Sequence, residues 1–313
     1  MRKWVGIDLG GTMIKGAAVL EDGTIIVKGE RPTAPERGAD AVMDTMAELV
    51  RDLVQQAGWE FADVSGVGIG VPAFLDFETG TVETAVNIGW KNVPVVAEMQ
   101  KRLAGKPVAI ENDANAAALG EVWVGGGKGF RDALFVTLGT GVGGGVVVDN
   151  KIVHGSNGMG GEIGHITIDL NGRLCNCGRH GCLETISSAT GIVAEAQERI
   201  AAGRKTALAN FEELNTRIIF EHAEQGDEVA QEVVHVATDR LAFALANIGA
   251  TLNPQVIVVG GGVSAAGEAL LKPLQEAYTR YALPRVNAGT TISLAKLGND
   301  VGVIGAALLQ IGQ

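Results

Sequence analysis

The chain has 313 residues and a formal net charge of −11, with 25 Lys and Arg against 36 Asp and Glu and no basic cluster among them, which argues against nucleic acid as a partner. No apolar run approaches the roughly 18 residues that span a bilayer, and the opening MRKWVGIDLGG enters a strand and a glycine turn without the apolar region of a signal peptide. The cytoplasm is therefore the expected compartment, with no membrane partner. Hydrophobic residues make up 46% and aromatics only 4%, a Val, Ile, Leu and Ala composition that favours sheets covered by helices. At this length two α/β domains sharing a cleft are expected, and the 45 glycines, set beside apolar runs, imply close backbone approach in several places.

Taken in chain order, the sequence predicts a strand over Lys3 to Leu9, a glycine turn, a second strand over Met13 to Leu20 and a third near Thr24 to Gly29. An amphipathic helix follows from about Asp40 to Ala57, with Val42, Met46, Leu49, Val50 and Leu53 on one face. A buried strand, Val64 to Val71, ends at Pro72; another, Pro107 to Ile110, leads into a helix from about Asn112 to Val124. The opening pattern returns at Ala133 with the strand ALFVTL, the turn GTGVGGG and the strand VVVD before Asn150, a duplicated element with one copy per domain. The stretch from Ala189 to about Leu252 reads as helical, with a stripe through Val229, Val233, Val236, Leu241, Ala244, Leu245 and Ile248. A buried strand, Gln255 to Val259, then meets Gly260, Gly261 and Gly262. A helix from about Ala265 to Tyr281, a strand over Thr291 to Leu297 and a closing helix from about Val301 complete the chain. The passage between domains is expected near residues 111 to 120.

Gly10, Gly11 and Thr12 follow a strand carrying Asp8, so their bare N–H groups and one hydroxyl suit phosphate oxygens; a hairpin turn with positive φ at glycine is the competing reading. Two further glycine turns after strands, Gly139 to Gly145 and Gly260 to Gly262, shift the balance toward one nucleotide held between two domains. Neither a Walker loop nor a dinucleotide-binding fingerprint is present. In Glu111-Asn112-Asp113-Ala114-Asn115 a buried strand gives way to a helix. Asp113 suits a carboxylate that takes the proton of an attacking hydroxyl and Asn112 a donor that orients it, while helix capping accounts for either residue equally well. His165, Cys175, Cys177 and Cys182 are spaced H-x9-C-x-C-x4-C and include every cysteine of the chain. That set satisfies a tetrahedral zinc with no open position, hence a structural site. It would fix the loop carrying Glu162 and Glu184, which read either as solvated or capping glutamates or as acceptors for sugar hydroxyls. His180 exceeds the ligand count, and His154, His222 and His235 read as ordinary surface or helix residues.

GIDLGGT, ENDAN, LGTGVGGG, GEIGH, CNCGRHGCLE and VVGGGV occur in this order along nearly the whole chain. Together they resemble the ROK family (repressors, open reading frames and kinases), and within it the ATP-dependent glucokinases. The resemblance implies an actin-like, ribonuclease-H-like two-domain α/β ATPase fold with central mixed sheets and an interdomain cleft. A smaller N-terminal domain would span residues 1–118, completed by the helix over 301–313, and a larger one residues 119–300, with the zinc segment at 165–182. It further implies ATP and Mg2+ as cofactors, a structural Zn2+, phosphorylation of glucose to glucose 6-phosphate in glycolysis, and a homodimer. By the family's motifs Asp113 is the general base, and Asn112, Glu162, His165 and Glu184 bind the sugar, His165 using one ring nitrogen for zinc and the other for a hydroxyl. Gly10, Gly11, Thr12, Gly139, Thr140, Gly141, Gly261 and Gly262 surround the nucleotide. A kinase for fructose, mannose or an N-acetylated hexosamine remains open at this point, since specificity rests on contacts to two or three hydroxyls. The family's repressors carry an N-terminal helix-turn-helix, and the first strand here opens at about residue 3, which favours the kinase over a sugar-responsive regulator.

Overall fold

The structure, a computed structural model, describes residues 1–310. In chain order the elements are β1 (Lys3–Leu9), β2 (Met13–Leu20), β3 (Ile25–Pro32), α1 (Ala39–Gln56), β4 (Val64–Val71), β5 (Phe74–Asp76), β6 (Thr81–Ala85), β7 (Trp90–Val93), α2 (Val95–Arg102), β8 (Val108–Asn112), α3 (Asp113–Val124), β9 (Ala133–Leu138), β10 (Val142–Val148), β11 (Lys151–Ile152), α4 (Glu184–Ser187), α5 (Ala189–Ala201), α6 (Thr216–Glu224), α7 (Glu228–Leu252), β12 (Val256–Gly260), α8 (Glu268–Tyr281), α9 (Pro284–Gly289), β13 (Thr291–Leu294) and α10 (Val301–Leu308). They form two compact units. The first holds Met1–Arg131, Gly145–Gly161 and the residues from Lys296 onward; the second holds Asp132–Gly144 and Glu162–Ala295. All of α3 lies in the first unit, so the chain does not change units near residues 111 to 120 as the sequence suggested. The last three residues of the expected closing helix, 311–313, lie outside the described residues.

In the first unit a sheet of order β3-β2-β1-β4-β8 combines an antiparallel meander, β1 to β3, with two strands parallel to β1. β1 and β4 are buried along nearly their whole length, as expected for strands covered on both faces. β3 alternates between half-buried and exposed positions at the edge. The predicted stripe of α1 is buried at Val42, Met46, Leu49, Val50 and Leu53 and joins β1, β4 and β8 in one core. On the other face α10 lies so close that a Cβ at Gly6 would stand 1.9 Å from the Val303 carbonyl oxygen, and one at Gly68 would stand 1.7 Å from that of Ala306. Much of the glycine in these strands therefore serves helix packing. Residues 72 to 106, where no element is predicted, carry a small antiparallel sheet of β5, β6 and β7 and the helix α2. Three- to five-residue strands present too little periodicity to register.

In the second unit β12 and β13 add in parallel to β9, as β4 and β8 add to β1, so the duplication extends beyond the glycine turn. The expected helical run from Ala189 to Leu252 is three helices, interrupted at Gly203 and Gly226, which take φ of 79° and 91°. Ser188, Asn215 and Asp227 cap α5, α6 and α7 through side-chain oxygens. β10 starts at Val142, so Gly143 to Gly145 belong to a strand rather than to the turn; α8 starts at Glu268 after a 3-10 turn, and β13 stops at Leu294. No helix among the described residues is long and apolar enough to cross a membrane.

Because backbone atoms cannot yield as a side chain does, Gly68→Ala should destabilise the protein by about 3 kcal/mol or more, read as a lowered denaturation midpoint. A variant of wild-type stability would refute this account of α10.

Candidate active site

In the first unit the chemistry-bearing residues gather where β1 turns into β2 and where β8 becomes α3. β8 continues through Asn112, two residues further than predicted, and α3 begins at Asp113. Asn112 is the cap: its backbone is extended, and its Oδ1 accepts from the N–H groups of Ala114 (3.0 Å) and Asn115 (3.4 Å). Capping therefore falls to Asn112, which satisfies two of the helix's orphan donors and keeps its Nδ2 amide for another partner. The Asp113 carboxylate, one position on, is left out of the cap. It is exposed at the surface, yet the protein around it raises its pKa above the ordinary carboxylate value, against the opposing pull of the Ala114 and Asp113 N–H groups. Asp8 on β1 is raised likewise, chiefly by burial and next by the negative charge of Asp113, while Lys15 lowers it. The sequence reading passed over Asp8 as a strand residue; a carboxylate in the middle of a buried strand was the available signal.

Gly10 closes the first turn by donating to the Met13 carbonyl at 3.0 Å. Neither Gly10 nor Gly11 takes a positive φ, so the hairpin does not require glycine for its backbone angles. In the second unit the second and third glycine turns are neighbours. Gly261 has φ 81°, and a Cβ there would lie 2.5 Å from the Leu138 carbonyl oxygen, at the start of the second turn. Gly139 and Gly262 have nothing within 4 Å of such a Cβ, leaving their backbone bare. The Gly139 carbonyl accepts from Ala189 N–H (2.8 Å) and that of Thr140 from the Thr190 hydroxyl (2.7 Å), which fixes the turn against the start of α5. A cavity of about 470 Å3 opens beside Gly262, walled by Arg217, Phe220 and Glu221 of α6. At Gly141 a Cβ would meet Glu184 Oε2 at 2.6 Å, so this glycine makes room for a side chain rather than for a ligand.

His165, Cys175, Cys177 and Cys182, also in the second unit, bring their ligand atoms within 4.8 Å of one another. Cys175 Sγ stands 3.6 Å from His165 Nδ1, and Cys177 Sγ 3.6 Å from Cys182 Sγ. A tetrahedron of thiolates at zinc–sulfur distances of about 2.3 Å has edges of about 3.8 Å, so the donor set fits zinc. His165 turns Nδ1 to the cysteines and Nε2 toward Glu162, 3.8 Å away. Burial pushes the Cys175 thiol up to about 12 and raises Cys182 as well, while the Arg179 N–H holds Cys177 down. Glu184 joins the cluster through Oε1, 3.0 Å from Cys175 Sγ. His180 stays outside it, its Nδ1 on the Gly172 carbonyl. His154 departs from expectation: it is a half-buried ring on a loop of the first unit, with Nε2 2.7 Å from Glu111 Oε2. No local spacing announces that pair.

The doubled ribonuclease-H-like sheets, each with a glycine turn after its first strand, define the actin-like ATPase class. Comparison with known proteins narrows the class. The sequence matches the ROK family over residues 4–313. It is 44% identical to a glucokinase of Halalkalibacterium halodurans, over 98% of this chain and 94% of that protein. Among solved structures, a ROK hexokinase from Thermus thermophilus superposes with a TM-score of 0.83 at 34% identity, covering 98% of this chain and 97% of that one. A ROK family glucokinase from Streptomyces griseus, in complex with glucose and AMPPNP, gives 0.77 at 34% identity over 99% of this chain and all of the other. The chain belongs to the ROK family.

The cap assignment is directly testable. Asn112→Ala should cost about 1 kcal/mol of stability. Asp113→Ala should cost nothing at neutral pH, because a carboxyl whose folded pKa is raised adds stability only below the ordinary value of about 4 and loses it as pH rises through the raised one. Thermal melts at pH 7 that rank the two variants the other way would refute the assignment.

Proposed function

We propose that this chain is an ATP-dependent glucokinase that converts glucose to glucose 6-phosphate with Asp113 as general base. The observation that carries the mechanism is the cap: with Asn112 serving α3, the Asp113 carboxylate is free to accept a proton. The sugar's 6-hydroxyl attacks the γ-phosphorus of ATP, its proton passes to Asp113, and the bond to the bridging oxygen breaks to release ADP. A raised pKa makes Asp113 a better proton acceptor than an ordinary carboxylate. In the first unit the free Nδ2 of Asn112 suits a sugar hydroxyl, and in the second unit Glu162, His165 through Nε2, and Glu184 offer acceptors and a donor for sugar hydroxyls. In the first unit Gly10, Gly11 and Thr12 suit phosphate oxygens; in the second the bare backbone at Gly139 and Gly262 does so, and the cavity beside Gly262 suits the base of the nucleotide. Mg2+ bound with ATP would supply neutralisation of the phosphate charge. Relatives named as glucokinases, the one from Halalkalibacterium halodurans at 44% identity and the one from Streptomyces griseus solved with glucose and AMPPNP, support the choice of sugar and donor.

The cysteine cluster, in this reading, holds a structural Zn2+ that orders the chain around Glu162 and Glu184. The enzyme works in the cytoplasm, at the entry to glycolysis, as a homodimer.

Turnover, its pH dependence and metal content test these assignments. In a coupled assay over glucose, mannose, fructose and N-acetylated hexosamines, glucose should give the highest kcat/KM; a higher value for another hexose would displace it. Asp113→Asn should lower kcat by about 10² to 10⁴-fold. The wild-type rate should fall as pH falls through the raised Asp113 value, a limb that the Asn variant lacks; near-normal turnover of that variant removes Asp113 from the chemistry. Cys177→Ala should lose metal, stability and activity together. Wild-type protein should lose metal on acidification, because protons compete for the two thiols whose pKa is raised. Full activity in zinc-free protein supplied with magnesium alone would refute a structural metal.

A further inference from the structure

Glu111 is 4% exposed, and a buried carboxylate persists only where donors surround it. Three do. Oε1 accepts from the N–H of Asn112 at 2.9 Å and from Nδ2 of Asn115 at 3.0 Å, and Oε2 stands 2.7 Å from His154 Nε2. The first two donors lie on either side of Asp113, one on the last peptide of β8 and one on the first turn of α3. A single carboxylate thus spans the junction that carries the proposed base. His154 comes from a distant part of the sequence and is itself held. Its ring stacks on Phe77 with centroids 3.9 Å apart and planes 31° apart. Its carbonyl accepts from the Gly160 N–H at 2.8 Å, and Val153 before it donates to Val146 at 2.9 Å. For the ring to meet a carboxylate, Nε2 carries the proton and donates.

We propose that Glu111 and His154 form a positioning pair for phosphoryl transfer: His154, fixed by Phe77 and its own loop, holds the Glu111 carboxylate, and Glu111 sets the peptide and helical turn that aim Asp113. Neither residue touches substrate. The inference rests on Asp113 as the base. Displacing a reacting group by about 1 Å costs up to a hundredfold in rate, so the pair acts on turnover more than on sugar affinity.

The test compares two amides at position 154. Gln places its NH2 near where the imidazole carries Nε2, and so keeps the donor to Glu111; Asn is too short to reach it. Both lose the ring on Phe77, so packing loss is common to both. His154→Gln should keep kcat within about threefold of wild type. His154→Asn should lower kcat by about tenfold to a hundredfold, with a smaller change in the KM for glucose. Rates are taken per folded molecule at matched zinc content. Glu111→Gln, which turns an NH2 toward one of the three donors, should show the same kcat-weighted loss, and it carries the test should His154→Asn melt below the assay temperature. Equal turnover in the Gln and Asn variants, at any level, overturns the proposal, as does a Glu111→Gln enzyme with wild-type kcat. Asp113→Asn, assayed alongside, separates the two claims. Its near-normal turnover would remove the base, whereas its loss together with equal 154 variants would remove only the positioning pair.

Discussion

A helix that starts at a carboxylate proposed to take a proton faces a conflict, because the orphan N–H groups of its first turn compete for that carboxylate as an acceptor. Here the conflict is resolved one residue upstream. Asn112 ends β8 in extended conformation and its Oδ1 accepts from Ala114 and Asn115, so two of the helix's four orphan donors already have an acceptor outside Asp113. Everything proposed for the first unit depends on this. An amide is the side chain that can accept from a helix with one atom and still donate with the other. Were the cap an aspartate, the oxygen would serve the helix but nothing would remain to donate to a hydroxyl.

The structure divides the chain's many glycines by task. Gly6 and Gly68 carry no side chain because α10 occupies the place of their Cβ atoms, and Gly261 because it must take φ 81° against Leu138. Gly139 and Gly262 have no such neighbour. From sequence all five read alike, since each follows or interrupts an apolar strand. What separates them is the identity of the approaching group, protein backbone in one class and open space in the other, and that is a tertiary fact.

The same distinction governs what was legible in the site. The cluster of His165, Cys175, Cys177 and Cys182 was readable because all but His165 fall in one short window, and the structure brings their ligand atoms within 4.8 Å of one another. The strand-to-helix junction at Asp113 was readable to within two residues, because strand burial ends where the polar run begins. Which of Asn112 and Asp113 caps the helix was not, since both are favoured caps and only backbone angles decide. His154 read as an ordinary residue because its partner lies 43 positions away, and long-range pairing leaves no mark on local pattern. The small sheet of β5 to β7 escaped for a related reason, its strands being too short to show alternation. Where a helix had a wide apolar stripe, as α1 does, prediction and structure differ by one residue at each end.

The seat of α10 on the first unit's sheet bears on how the protein is made. A ribosome delivers the chain from its amino end, so β1, β4 and β8 emerge with the glycine-lined face of their sheet bare. The helix that covers it arrives only after the whole of the second unit. Apart from one excursion, the second unit runs from Asp132 to Ala295 and is complete before α10 leaves the tunnel. During synthesis, then, the half that contains Asp113 stays open while the half that contains the cysteines can already close. For that interval the nascent first unit shows water, and any chaperone within reach, a smooth apolar surface that the finished protein never exposes.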